Sequence, residues 1–229
     1  MRQLSDKTIL ITGAYTEQGQ SLLDALVAYH PFCIVSIDSR GETWQGDSGS
    51  TPWYDNYYIS LGDLDALISV FRLRRPAIVV HLAQDYSDNP IVAFEHNCRG
   101  TFNLLMAVEA VKETAEAVLL YKQNLIGSEA TLQVAEATVA ASQNIAKGFY
   151  FAYGLPVMTL GVDKVDNNTS QSIQAILGVL ENGTGGMHYE MGSARDGIMP
   201  VWDSKVYDDT SVVNAPRPKG IGRVRIVNY

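Results

Sequence analysis

Gly13, Gly19 and Asp38 are the residue types, at the spacing, that hold a phosphorylated nucleotide. A glycine turn lets backbone approach a pyrophosphate and presents the N–H groups of a helix start to it. A carboxylate such as Asp38, closing the apolar run Cys33–Ile37, can accept hydrogen bonds from ribose hydroxyls. Thr16 and Glu17 interrupt this layout. Thr16 adds a side chain where backbone must approach phosphate, and Glu17 brings a like charge to a loop suited to an anion. Two readings stay open. Both side chains point outward and a nucleotide still binds, or Gly13 and Gly19 serve only the tight turn and the helix packing. No other chemistry competes. His30, His81, His96 and His188 lack metal-ligand spacing, and there is no Walker motif and no Ser-His-Asp set.

These residues need elements to place them. Thr8–Thr12 and Cys33–Ile37 are short, apolar and β-branched, as buried strands are. Gln18–Tyr29 between them has Leu22, Leu23, Leu26 and Val27 on one helical face. A polar loop, Ser39–Asn56, leads to a short strand, Tyr57–Ser60. A helix over Asp63–Leu73, with Asp63 a plausible N-cap, precedes a strong strand at Ala77–Leu82. Pro90 opens a long helix to about Val111, with Phe94, Thr101, Leu104, Leu105 and Val108 in phase. Strands at Ala117–Tyr121 and Pro156–Val162 alternate with helices at Thr131–Phe151 and Ser170–Leu180. Such alternation builds an α/β, Rossmann-like doubly wound parallel sheet with helices on both faces. Residues 1–183 form this domain, and 184–229, poorer in periodic signal, read as short strands and an extended tail.

The chain has 229 residues, 46% of them apolar, and a formal charge of −8. That suits one globular domain and argues against a nucleic-acid groove, which needs clustered Lys and Arg. Cys33 and Cys98, read as reduced thiols, point to the cytoplasm, and no run reaches the roughly 18 apolar residues of a membrane span.

The motifs fall in a fixed order. Thr12-Gly13-Ala14-Tyr15-Thr16-Glu17-Gln18-Gly19 is followed by Asp38, by Gly62-Asp63-Leu64 and by Val80-His81-Leu82-Ala83. Then come Glu95-His96-Asn97-Cys98-Arg99-Gly100-Thr101-Phe102-Asn103-Leu104-Leu105, Tyr153-Gly154-Leu155-Pro156-Val157, and Gly192-Ser193-Ala194-Arg195-Asp196 with Asp203. The series resembles the extended short-chain dehydrogenase/reductase family, which holds NAD-dependent nucleotide-sugar epimerases and dehydratases. The resemblance implies NAD as cofactor, with contacts at Gly13, Thr16 (where the family has its middle glycine), Gly19, Asp38, Asp63, Leu64, Leu82 and Ala83. It implies that Arg195 stands where an arginine helps hold the sugar nucleotide's diphosphate. Plainer roles compete: a loop cap for Asp38, a helix cap for Asp63, a satisfied core histidine for His81, a helix-to-strand tie for Asn97, and a surface pair with Asp196 for Arg195.

The family's chemistry needs a Tyr as acid/base, a Lys four residues later and a Ser or Thr at the preceding strand end. Counting back from Gly154-Leu155-Pro156, the first two fall near Ala135 and Val139. The strand end reads Leu120-Tyr121-Lys122-Gln123-Asn124, with Lys122 about where the hydroxyl belongs, and no Tyr has a Lys four positions later. Tyr121 is the only substitute acid/base in view. Acid/base assistance is worth roughly 10²–10⁴-fold, so these vacancies should leave little activity. Three functions stay open: a catalytically degenerate binding or assembly module, an active enzyme using Tyr121, and an NAD sensor. A module would self-assemble or meet a protein partner through Trp44, Trp53, Tyr54, Tyr57, Tyr58 and the tail Val212–Tyr229.

Overall fold

A computed structural model describes residues 1–39, 53–87, 89–124, 130–163, 169–191 and 198–201. Trp44, Arg195, Asp203, the tail from residue 202 and most of the loop 39–56 lie outside them. The sheet has eight strands: β1 (Thr8–Thr12), β2 (Cys33–Asp38), β3 (Trp53–Tyr58), β4 (Ile78–His81), β5 (Ala117–Asn124), β6 (Val157–Asp163), β7 (His188–Met191) and β8 (Ile198–Val201). Their spatial order is β3-β2-β1-β4-β5-β6-β7-β8, parallel throughout except for the antiparallel β8. β1 is buried from Ile9 to Thr12 and lies near the centre, as its apolar run Ile9–Ile11 requires. The sheet continues past residue 183 through β7 and β8.

Alternation along the strands divides the core in two. One cluster joins Ile9, Ile11, Val80, Leu119, Tyr121 and Leu160 to helices α1 (Glu17–Val27) and α6 (Thr169–Asn182). The other joins Leu10, Val35, Val79, Val118 and Leu120 to α2 (Leu64–Arg74), α4 (Thr101–Glu109) and α5 (Ala130–Tyr153). Successive side chains of a strand point to opposite faces, so neighbours such as Tyr121 and Lys122 serve different layers.

Two expectations are corrected here. The third strand begins at Trp53, inside the stretch read as loop, because Trp53 through Tyr58 pair residue for residue with Cys33 through Asp38. Its alternation is weak because β3 is a half-exposed edge strand. The long helix from Pro90 is not uniform. α3 (Pro90–Ala93) passes into a π-helix, Phe94–Gly100, before α4. The wider turn rotates the face that meets the sheet. Asn97, Cys98 and Thr101 turn inward while Phe94, expected in phase with the core, is exposed.

Arg74 fastens α2 to the edge strand. Its Nε donates to Tyr57 Oη at 2.6 Å, its guanidinium pairs with Asp55 at 2.8 Å, and it lies 5.6 Å from the Tyr57 ring centroid. Arg74→Met is expected to cost about 1 kcal/mol in urea unfolding, since the pair is partly solvated.

Candidate functional site

The site lies where β1, β2, β4 and β5 end. After Thr12 the chain turns at Gly13, whose φ is +71°. A Cβ on Gly13 would sit 2.7 Å from the Ala83 amide nitrogen, and one on Gly19 would sit 2.4 Å from the Gly13 carbonyl oxygen. Both glycines are therefore demanded by the packing of this turn, with or without a nucleotide.

Thr16 caps α1. Its Oγ1 accepts from the Gly19 N–H at 3.0 Å and donates to the Gly13 carbonyl at 2.8 Å. The hydroxyl thus satisfies from within one of the helix-start N–H groups that a phosphate would otherwise take. Thr16→Ala is expected to lower stability by about 1 kcal/mol, read from a thermal melt. Glu17 follows in the first turn, and its Oε1 accepts from Thr169 Oγ1 at 2.7 Å, linking the starts of α1 and α6. A carboxylate complements the helix dipole here and repels a second anion. Both features oppose a pyrophosphate at this helix start.

The ribose and adenine side keeps the expected residues. Asp38 is buried at the end of β2. Asp63 is the N-cap of α2, its Oδ1 accepting from the Ala66 N–H at 3.0 Å, so the cap role is filled. Leu64 is half-buried in the first turn of α2. Leu82 is buried and donates its N–H to the Thr12 carbonyl at 3.1 Å, holding Ala83 under the glycine turn.

His81 is a satisfied core residue. Its Nδ1 bonds Thr12 Oγ1 at 2.6 Å and its Nε2 bonds Thr101 Oγ1 at 2.9 Å, tying β1, β4 and α4 together. Burial pushes its pKa down to about 4, so near neutral pH it is an uncharged tie and no proton shuttle. Asn97 is equally committed. Its amide donates to the Asp85 carbonyl at 2.7 Å and to Thr138 Oγ1 at 2.9 Å, and its Oδ1 accepts from the Asp85 N–H at 2.8 Å. It locks the loop after β4 against α5.

At the three positions implied for chemistry, Ala135 and Val139 are fully buried apolar residues of α5 and Lys122 is half-buried at the end of β5. Tyr121 does not take their place. Its ring belongs to the apolar layer under α6, and its buried Oη completes no hydrogen bond. Burial raises its pKa despite the nearby Ser172 hydroxyl, which lies short of a well-formed hydrogen bond, and that direction is opposite to what an acid/base near neutrality needs.

Sequence reasoning missed Gln143. It lies one turn beyond Val139, and both line a small cavity of ≈ 10 Å³ with Lys122, Gln84, His81 and Asn97. That is room for about one water molecule, far below the several hundred Å³ of an ordinary ligand pocket. The available signal was the i, i+4 spacing Ala135, Val139, Gln143, which keeps one helix face. Among the described residues no group of three His, Cys, Asp or Glu could hold a metal, and no helix is long and apolar enough to cross a membrane.

The comparisons agree with this architecture. WbmF of Bordetella bronchiseptica in complex with NAD+ superposes with a TM-score of 0.70 over 85% of this chain and 75% of that one, at 12% identity. DesIV, a dTDP-glucose 4,6-dehydratase from Streptomyces venezuelae with NAD and TYD bound, gives 0.67 over 81% and 75%, at 18% identity. A UDP-glucose 4-epimerase of Mycoplasma pneumoniae is 24% identical over 133 residues, which are 56% of this chain and 39% of that protein. This chain thus spans well under half of that relative's length. The sequence profile of the NAD dependent epimerase/dehydratase family matches residues 9–142, more than half of the chain, and this protein belongs to that family.

Proposed function

We propose that this chain is a catalytically degenerate member of its family that keeps the fold and works as a binding or assembly module without hydride chemistry. The observation that carries this is the burial of Ala135 and Val139 at the positions of the acid/base pair. An alanine and a valine can neither hold a proton nor lower a neighbour's pKa, and Lys122 offers a third residue unlike the hydroxyl it replaces. NAD would supply a hydride acceptor where bound. The internal cap at Thr16 and the Glu17 carboxylate argue against its pyrophosphate, while Asp38, Leu82 and Ala83 would suit its ribose and adenine.

Assembly with a second copy or another protein is the partner reading. Trp53 and Tyr58, at the two ends of the edge strand β3, are 70% and 54% exposed. Phe94, Phe102, Phe151 and Tyr153 add exposed aromatic surface on the helices of the other layer. Aromatic surface of this kind favours contacts with protein.

Calorimetric titration with NAD and NADH, together with light scattering, tests the proposal. The expected result is no saturable heat up to about millimolar cofactor and a mass above that of one chain. Micromolar binding by monomers would overturn it. The double variant Thr16→Gly with Glu17→Ala is expected to bind NAD measurably better than the parent, because it frees the Gly19 N–H and removes the opposing charge. An unchanged titration would show that these two residues are not the obstacle.

A further inference from the structure

The cavity beside α5 contains an imbalance of hydrogen-bonding groups. Most polar groups along it are spent. Both His81 nitrogens are used by Thr12 and Thr101, and Asn97 is used by Asp85 and Thr138. Gln84 donates to the Tyr121 carbonyl and accepts from Tyr86 Oη. Two donors are left. Gln143 Nε2 is buried and has no hydrogen-bond partner. Lys122 lines the same cavity, and no ion pair within salt-bridge distance holds it among the described residues.

A buried amide donor left unsatisfied costs free energy, and native proteins leave few such groups without a reason. Here the unsatisfied group shares a cavity with a lysine and, among the described residues, with no carboxylate. Glu190 is the nearest competitor. Lys122, Gly161 and Glu190 lie side by side on β5, β6 and β7, and the lysine's charge contributes to holding the Glu190 carboxyl below its usual range, after the hydrogen bond from His188. Glu190 stands beyond Gly161, outside the cavity lining.

We propose that Lys122 and Gln143 form an oxyanion-binding site in the position the family uses for chemistry, taking one oxygen of a carboxylate or phosphoryl group. The cavity's ≈ 10 Å³ admits one oxygen atom. Two donors, one of them charged, favour an anion over a water molecule, which would need acceptors as well. The site stands independently of whether NAD binds, since neither residue takes part in the glycine turn.

The test is a titration of full-length, isotope-labelled protein with sodium acetate and, separately, with inorganic phosphate, at constant ionic strength set by chloride. The side-chain amide resonances of Gln143, identified by their loss in Gln143→Leu, are expected to shift saturably with at least one of the two anions. Saturation with acetate alone assigns a carboxylate, and with phosphate alone a phosphoryl group. Lys122→Met should weaken binding by about tenfold or more. Gln143→Leu keeps the helix and should weaken binding of the same anion, followed through backbone amides of β5, while raising the melting temperature because the orphan donor is gone. A Gln143 resonance that moves only linearly with either anion, or saturable shifts that survive in both variants, would overturn the proposal.

Discussion

Gly19→Ala is expected to destabilise the protein by about 3 kcal/mol or more, lowering its melting temperature by roughly 6–12 °C, with no nucleotide present. The added methyl group would lie 2.4 Å from the Gly13 carbonyl oxygen and 2.6 Å from that of Ala14. These are backbone atoms of a buried turn, so they cannot swing aside as the end of a side chain could. The same turn holds Gly13 in a left-handed conformation against Ala83, so a shift at one glycine is resisted at the other. Gly148→Ala is the control. It sits in α5 with nothing near its missing Cβ, and alanine there should stabilise by about 0.5–1 kcal/mol. Circular dichroism melts of the three proteins decide the matter. If Gly19 serves only to admit a phosphate, Gly19→Ala should melt with the parent.

That contrast shows what a glycine motif does and does not announce. Gly13 and Gly19 were legible as a β-α turn, and the structure needs both for packing alone. Asp63 was legible as a cap because capping is local, and so were the central strands, whose apolar runs are buried on both faces. Two features were legible only in part. β3 alternates poorly because it is an edge, and its pairing with β2 is set by contacts some twenty residues apart. The π-helix left no periodic trace, since one wide turn shifts the phase of a run that otherwise looks continuous.

The site divides in the same way. Counting back from Gly154 points to Ala135 and Val139 as the acid/base positions, and both lie buried in α5. What could not be read is where the remaining polar groups turn. Tyr121 and Lys122 are adjacent in sequence, yet alternation sends the phenol under α6 and leaves the lysine beside α5. Gln143 matters only because its neighbours in space have spent their own hydrogen bonds.

His81 is expected to make the fold acid-labile between pH 6.5 and about 4. Its pKa falls from the ordinary 6.5 to about 4 because the ring is buried. Above pH 6.5 the ring is neutral in both states, and the group adds no pH dependence. Between the two values the unfolded chain binds a proton that the folded protein does not, so stability falls as the pH falls. Below the folded value the loss is complete, at about 3 kcal/mol for this group. The charged ring would also need both nitrogens to donate, whereas the neutral ring donates from one and accepts at the other between Thr12 and Thr101. Glu190, whose pKa is lowered chiefly by His188, contributes its own acid loss, but only below the usual carboxylate range near 4.5, so the upper part of the window reports on His81. His81→Leu should cost about 2–4 kcal/mol at neutral pH, since it strands two buried hydroxyls, and should flatten the decline from pH 6.5 to 5. Urea unfolding across that range measures both effects. An unchanged slope in His81→Leu would mean that the buried histidine is not the group that titrates, whatever the loss at neutral pH.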